Sequence, residues 1–304
     1  MRLAKRYGRT TLSGESAFID SLRALASHPA ARGLDDDAAV LEIGHETLVL
    51  THDSIVEGVH FLPDQDPADI AWKLIATNLS DLAAKGAEPV GALISHQLGG
   101  GDDRFAEGLA EVLQKYGVAL LGGDTTRANG PRSLGATLVG SATHTPVPAR
   151  SGAKPGDRIF VTGTLGRAML GLEGGLAENA YASAYTRPVP LLAEGQQLAP
   201  LVSAMMDVSD GLLLDAWRMA KASNMTFQLI SQTFPVADPA RADDCVRWGD
   251  DYELLFTLPP RTACPVPATQ IGKVEAKDSA LLWVDNAILT PADRLGYRHE
   301  RSAG

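Results

Sequence analysis

The strongest constraint on the fold is the alternation of strand-like and helix-like segments along both halves of the chain. The segment TLVLTHDS at 47–54 is rich in β-branched and apolar residues and predicts a strand that ends near Asp53. The next segment, DPADIAWKLIATNLSDLAAKG, predicts a helix with Asp66 as its N-cap and Gly86 as its stop. Such interleaving favours α/β or α+β domains and leaves the strand order open.

The same alternation continues to the end of the chain. A second helix is expected from about Arg104 to Tyr116, and VALLGGDTT then predicts a short buried strand that breaks at its glycines and carries Asp124 at its end. Further on, RIFVTGTLGRAMLGL, MMDVSDGLLLDAWRMAKASN and YELLFTLPP repeat the strand and helix pattern. The Pro-rich segment THTPVPARSGAKPGD lies between the halves, so we expect an N-terminal domain over 1–145 and a C-terminal domain over 146–304.

Charge and cysteine content narrow the class of protein. The 304 residues include 37 Asp and Glu against 27 Lys and Arg, a formal net charge of -10, which argues against nucleic-acid or anionic-membrane partners. Cys245 and Cys264 form no C-x-x-C pair, so a zinc site or a disulfide framework is not expected. The basic start is not followed by an apolar run, and no segment has the length of a membrane span. We therefore expect a cytoplasmic, soluble protein.

Aspartates recur where the predicted elements begin or end. Four are expected at strand ends or in the adjacent loops, one on a helix and one at a helix start: Asp37, Asp53, Asp124, Asp207, Asp81 and Asp210. Any one of them alone is explained by a turn or a helix cap. Their number, with glycine or serine beside most of them, favours a functional site.

Carboxylates without histidine or cysteine select a hard cation, and we expect Mg²⁺. Because Mg²⁺ keeps several waters and bridges carboxylates to phosphates, the pattern indicates a phosphorylated substrate. Divalent ions lying between them would also let an acidic protein bind a polyanion.

Three other features have a functional and a structural interpretation. The glycine-containing segment at 163–171 fits a phosphate cradle, although a plain strand–helix turn explains it better. Arg150 is either a partner for a nucleotide phosphate or a solvated linker charge. His60 is either a contact for an organic substrate or a half-buried structural histidine.

Six motifs together resemble one known family. In order they are DSIVEGVHF, NLSDLAAKGAEP, GGDTTR, RSGAKPGDRIFVTGTLG, DVSDGLLLD and DDYELLFT, and the match extends from about residue 14 to about 298. They strongly resemble thiamine-monophosphate kinases. The resemblance implies transfer of the γ-phosphoryl group of ATP to thiamine monophosphate, which gives thiamine diphosphate and ADP. It also implies the two-domain fold of aminoimidazole ribonucleotide synthetase and a homodimer joined through N-terminal strands.

The resemblance also implies site residues. The magnesium ligands would be Asp37, Thr51, His52, Asp53, Asp81, Asp124, Asp207 and Asp210. ATP would contact Gly123, Asp124, Arg150 and Ser209, and thiamine monophosphate would contact His60, Asp250 and Glu300. No residue is expected to act as a general base, because the acceptor phosphate is already nucleophilic and is expected to attack ATP directly, without a phosphoenzyme.

Several positions depart from the family pattern. His52 stands where the family usually has Thr or Ser, so a hydroxyl ligand is lost there unless the main-chain carbonyl makes the contact. Asp250 replaces a longer Glu, and Trp248 replaces a Gly. Glu300 stands about where the family often has an aromatic residue, and Tyr297 is close by.

Two alternative functions stay open. One is another ATP-dependent enzyme of the same superfamily, namely aminoimidazole ribonucleotide synthetase, selenophosphate synthetase or the hydrogenase-maturation carbamoyl dehydratase. The last two need a reactive N-terminal or C-terminal cysteine, whereas Cys245 is the first cysteine here and the sequence ends RSAG. The other is a non-catalytic nucleotide or magnesium sensor that kept the fold.

Overall fold

The computed structural model describes residues 15–176 and 179–298. Within these ranges the helices are α1 (Glu15–Arg23), α2 (Pro67–Ala84), α3 (Asp102–Tyr116), α4 (Arg167–Glu173), α5 (Ala182–Thr186), α6 (Leu192–Leu198), α7 (Leu212–Ser223) and α8 (Ala242–Arg247). The strands are β1 (Ala39–Ile43), β2 (Glu46–Val56), β3 (Ala87–Gln97), β4 (Ala119–Thr126), β5 (Ser133–Ala142), β6 (Arg158–Thr162), β7 (Ala204–Val208), β8 (Thr226–Leu229), β9 (Glu253–Leu258), β10 (Ala268–Glu275), β11 (Leu282–Val284) and β12 (Ala287–Leu289). Short 3-10 turns lie at Pro29–Leu34, Ser231–Thr233, Pro239–Arg241 and Pro291–Asp293.

The first half forms a five-stranded sheet in the order β1-β2-β5-β3-β4. Its pairs are antiparallel except β3 with β4, which α3 connects in parallel. The second half forms a seven-stranded sheet in the order β12-β11-β8-β10-β6-β9-β7. The expected mixture of strands and helices is confirmed. The division of the chain near residue 145 stays a prediction.

Helix α2 packs against both sheets. Fifteen of its 18 residues are buried, and it contacts β2, β3 and β5 of the first sheet as well as β7 and β9 of the second. The predicted start is confirmed, because Asp66 caps the helix by accepting the Ala68 N–H at 2.9 Å. A helix that is apolar on nearly every side has to be enclosed, and enclosure between two sheets brings its few polar side chains to the cleft between them.

Two predicted strand ends are wrong. Strand β2 continues three residues past Asp53 to Val56, since Asp53 pairs with Ala136 in the middle of a long ladder with β5. Strand β4 does not break at its glycines, and Asp124 lies inside it, paired with β3. Backbone pairing with a neighbouring strand overrides local turn propensity in both places.

Strand β4 is also not buried as expected. All eight of its residues are exposed, including Leu120 at 55% and Leu121 at 56%. The apolar run suggested a core strand, but among the described strands β4 lies at the edge of the first sheet and pairs only with β3. Among the described helices, none combines the length and the apolar character that crossing a bilayer requires.

Candidate active site

A cavity of about 560 Å³ opens beside α2, between the two sheets. Nine of the residues that the sequence nominated line it: Asp37, Asp53, His60, Asp81, Arg150, Asp207, Ser209, Asp210 and Asp250. They come from strands, helices and loops of both halves of the chain. The tertiary structure therefore brings widely separated motifs to one place.

Three aspartates form the centre of this cavity. Asp37 lies just before β1, Asp81 lies on α2 and Asp207 lies on β7. One carboxylate oxygen from each lies within 4.8 Å of the other two. Such a group of oxygen atoms offers a hard divalent cation several ligands at once.

The cluster is electrostatically unfavourable without a cation. Burial, followed by repulsion from Asp37, raises the pKa of Asp207 to about 8. Burial and the neighbouring carboxylates of Asp53, Asp207 and Asp37 raise the pKa of Asp81 well above its usual range. Within the described residues no ion pair involves Asp81 or Asp207. Each accepts a hydrogen bond from a neutral hydroxyl group instead: Thr51 donates to Asp81, and Ser80 donates to Asp207 at 2.7 Å.

Asp37 has the opposite environment. Burial disfavours its charged form, but Arg150 and Lys85 outweigh burial and lower its pKa. Arg150 Nε donates to Asp37 Oδ1 at 2.6 Å, and Lys85 Nζ lies 2.6 Å from Asp37 Oδ2. Arg150 is thus not a solvated linker charge, because it forms an ion pair with Asp37. The sequence assigned no role to Lys85. Its position after the apolar residues 82–84 at the end of α2 is the local signal that points to a buried lysine.

The donor set fits a magnesium ion. Its atoms are carboxylate oxygens, with no cysteine or histidine ligand among them. Burial, and then repulsion between the carboxylates, raises the pKa of Asp81 and of Asp207, and a bound cation would offset both causes. Asp53 adds a fourth carboxylate, whose pKa burial likewise raises. Asp210 lines the same cavity, with its carboxylate 2.5 Å from Arg218 Nη1.

A second polar group lies at the other end of the cavity. Lys73 Nζ donates to the His60 carbonyl at 3.0 Å and to Asp250 Oδ2 at 2.8 Å, and it lies 3.8 Å from the centre of the Tyr185 ring. Tyr252 donates to Asp250 Oδ1 at 2.9 Å. Asp250 and Tyr252 both have left-handed backbones, with φ of 57° and 53°. This strained turn places the shorter Asp250 side chain against Lys73.

Aromatic side chains border the mouth of the cavity. Trp248 and Tyr297 both line it and remain 39% and 42% exposed. The Tyr297 N–H donates to the Asp210 carbonyl at 2.9 Å, which fixes the final described segment beside the aspartates. Glu300, the predicted third substrate contact, lies outside the described residues.

Four nominated residues do not line the cavity: Thr51, His52, Gly123 and Asp124. Thr51 is buried and reaches the cluster through its bond to Asp81. His52 lies on the opposite face of β2 from Thr51 and Asp53, with its Nδ1 2.8 Å from Thr137 Oγ1. Their predicted roles as ligands stay predictions.

The strand register explains where Asp124 points. It lies opposite Ser95 on β3, which lies opposite Gly135 on β5, which in turn lies opposite Ser54 on β2. Residues directly opposite each other share a sheet face, so Asp124 lies on the His52 face. This face is turned away from α2.

The glycine-containing segment at 163–171 behaves as the turn that opens α4. The Gly166 N–H donates to Asp251 Oδ1 at 2.8 Å, and no residue of the segment lines the cavity. The turn interpretation therefore describes its local structure.

The fold of this chain is shared with proteins of known structure. Residues 35–142 match the family described as AIR synthase related protein, N-terminal domain. The solved structure of AaThiL complexed with AMPPCP and TMP superposes with a TM-score of 0.85 at 30% identity and covers 94% of this chain and 97% of that one. The fold is therefore that of the aminoimidazole ribonucleotide synthetase-like proteins.

Full-length relatives identify the particular family. The thiamine-monophosphate kinase of Escherichia coli (strain K12) is 36% identical over 300 residues, which cover 88% of this chain and 91% of the relative. The thiamine-monophosphate kinase of Salmonella typhimurium is 38% identical over 298 residues, with the same coverage. The chain belongs to the thiamine-monophosphate kinase family, as the six motifs indicated.

The raised pKa of Asp207 predicts how stability depends on pH. Folded Asp207 keeps its proton up to about pH 8, whereas an ordinary aspartate loses it near 3.8. Between these values the folded state binds more protons than the unfolded state, so the free energy of unfolding of the metal-free protein falls as the pH rises. Mg²⁺ competes with these protons and should stabilise the protein more at high pH than at low pH.

Urea unfolding across this pH range, with EDTA or with Mg²⁺, measures the effect. Asp207→Asn is the control, since it should reduce the pH dependence in EDTA, while Asp81 and Asp53, whose pKa values are also raised, still contribute to it. Curves that are parallel with and without Mg²⁺ would contradict the assignment.

Proposed function

We propose that this chain phosphorylates thiamine monophosphate to thiamine diphosphate with ATP, and that magnesium ions held by its aspartates assist the transfer. The observation that carries the proposal is the convergence of the Asp37, Asp81 and Asp207 carboxylates in one cavity. The family relationship supports it, and AaThiL forms a complex with AMPPCP and TMP.

Charge neutralisation is the main chemical problem of this reaction. The donor and the acceptor are both phosphates, and two unit charges ~4 Å apart repel by ~4 kcal/mol at an effective dielectric constant of ~20. Mg²⁺ held by Asp37, Asp81 and Asp207 would supply the positive charge that offsets this repulsion and would stabilise the charge of the transferring group. The acidic cavity would thus bind cations directly, and it would bind phosphates by way of those cations.

The residues of the chain hold and orient the reactants. Asp53, Asp81 and Asp207 provide the carboxylates on which no other described residue places a cationic contact, while Arg150 fixes Asp37 beside them. Burial of the cluster lowers the local dielectric and strengthens each of these interactions. No proton acceptor is needed, because the oxygen of a phosphate monoester is ionised at neutral pH and attacks ATP directly.

The other end of the cavity suits the thiamine part of the acceptor. Thiamine carries a cationic thiazolium ring, and the Asp250 carboxylate and the Tyr252, Trp248 and Tyr297 rings line the same cavity. Aromatic faces and a carboxylate both attract a flat organic cation. Lys73 fixes Asp250 and the His60 carbonyl, so it holds the geometry of this end.

A coupled assay for ADP tests the function directly. We expect ADP release that requires both thiamine monophosphate and Mg²⁺. Asp81→Asn should lower turnover by at least ~100-fold, since it removes one preorganised charge. It should also leave the protein folded, and more stable in EDTA, because the repulsion within the cluster is relieved. ATP binding without turnover in the wild type would favour the sensor, and normal activity of Asp81→Asn would refute the cation role.

His60→Ala tests the acceptor end. We expect KM for thiamine monophosphate to rise ~10-fold or more while KM for ATP changes little, since His60 lines the cavity beside Lys73 and Asp250. Steady-state kinetics with each substrate varied measures the difference. His45→Ala, in the exposed β1–β2 turn, is the control. Equal losses for both substrates would make His60 a structural residue.

We also propose a homodimer that joins through the first sheet. Its β3–β4 side exposes the apolar side chains of Val90, Leu93, Leu120 and Leu121, and within the described residues β4 has no strand on its outer edge. Exposed edges and apolar patches of this kind favour association. Leu93 lies on the sheet face of His52 and Asp124, so dimerisation would bring these two predicted ligands close to the interface. The predicted division into 1–145 and 146–304 would make the first unit the dimerisation unit.

Light scattering measures this association. The wild type should have the mass of two chains, and Leu121→Asp should lower it towards one, because a carboxylate would be buried in the interface. Ile230→Asp is the matched control, since Ile230 is 50% exposed outside the first sheet. A monomeric wild type would exclude the dimer.

We propose a cytoplasmic location. The proposed use of ATP and the presence of both cysteines as free thiols, Cys245 and Cys264, support it.

A further inference from the structure

Lys85 is a buried cation at the end of α2, inside the acidic half of the candidate active site. Its side chain is fully buried, and its Nζ lies 2.5 Å from Asp36 Oδ1 and 2.6 Å from Asp37 Oδ2. It also donates to the Met205 carbonyl at 3.3 Å. An ammonium group has three N–H donors, and here three oxygens surround it. The position is therefore a cation site that the protein fills with its own side chain.

The positive charges of the cavity are distributed unevenly. Asp36 contacts Lys85 and lies 2.5 Å from Arg32 Nη1, and Asp37 contacts both Lys85 and Arg150. The described residues place no such contact on the two remaining members of the cluster, Asp81 and Asp207. One side of the cluster is thus neutralised by the chain itself, while the other side is left for external cations.

We propose that the Lys85 ammonium is a built-in cation of this active site and takes the place that a divalent ion would otherwise occupy between Asp36 and Asp37. The inference rests on the proposed function, because it concerns how many magnesium ions that site holds. It follows that the chain binds one divalent ion fewer than the same set of carboxylates would bind without the lysine. The ions that remain are directed to Asp81, Asp207 and Asp53.

The physical basis is the cost of two adjacent buried carboxylates. Buried carboxylates are strongly destabilising when their charge is not compensated. Asp36 and Asp37 have one arginine each, Arg32 and Arg150, and Lys85 is the one cation within the described residues that contacts both. A lysine supplied by the helix is present at every Mg²⁺ concentration and needs no loss of hydration from a metal ion. A divalent ion would compete for the same place only if the lysine were removed.

The test is to count bound ions in Lys85→Met, which keeps the length of the side chain and removes its charge. Metal-free protein is titrated with Mn²⁺, and bound ions are counted by electron paramagnetic resonance. We expect the variant to bind one more ion per chain than the wild type. In EDTA its unfolding midpoint should shift to lower urea concentration, and saturating Mg²⁺ should restore it.

Lys73→Met is the matched control. Lys73 is an equally buried lysine of the same helix, but it pairs with Asp250 at the other end of the cavity. Its removal should leave the number of ions at the wild-type value. A gain of one ion in both variants would show a general effect of lost charge and would overturn the inference.

Equal ion counts and equal affinities in Lys85→Met and the wild type would also overturn it. If Lys85→Met does not fold in EDTA, recovery of the fold by Mg²⁺ supports the inference. If neither Lys85→Met nor Lys85→Gln folds at saturating Mg²⁺, Lys85 is structural and the inference is wrong. Failure of the proposed function is a separate result: the wild type would then release no ADP with thiamine monophosphate, whatever the ion counts.

Discussion

Repulsion among buried carboxylates is the constraint on which the rest of this structure depends. Asp37, Asp81 and Asp207 come within ligand distance of one another in a buried site, although each would be more stable in water. The fold tolerates this because the packing of two sheets around one helix contributes far more stability than the cluster removes. The strain that remains is what gives the site its affinity for cations.

Helix α2 organises both ends of the site. Lys73 lies near its start and Lys85 follows its last residue, which at 1.5 Å per residue places them ~18 Å apart along the axis. Between them Asp81 faces the cation cluster, and Ser80 bonds Asp207 of the second sheet. One rigid element thus sets the distance between the acceptor end and the metal end. Sites built on a helix in this way keep their geometry better than sites built on loops.

Local signals in the sequence predict some elements of this fold and not others. The capped helix at Asp66 was predicted correctly because its signals are local, a side-chain cap followed by an apolar periodicity. The ends of β2 and β4 were predicted wrongly because polar and glycine residues favour turns, whereas pairing with β5 and β3 kept these strands extended. The exposure of β4 was missed for a related reason. An apolar run specifies a strand, but only its place in the sheet decides whether that strand is covered.

The sequence by itself determined the family, the alternating strands and helices, and the aspartates that carry the chemistry, because motifs and periodicity are properties of neighbouring residues. Only the tertiary structure decided which of those aspartates meet. It placed Asp37, Asp81 and Asp207 together, turned His52 and Asp124 to the other face of a sheet, and buried two lysines to which the sequence assigned no role. The physical reason is that a side chain's direction alternates along a strand and rotates around a helix. Contacts across the fold therefore depend on register and packing, which no local segment encodes.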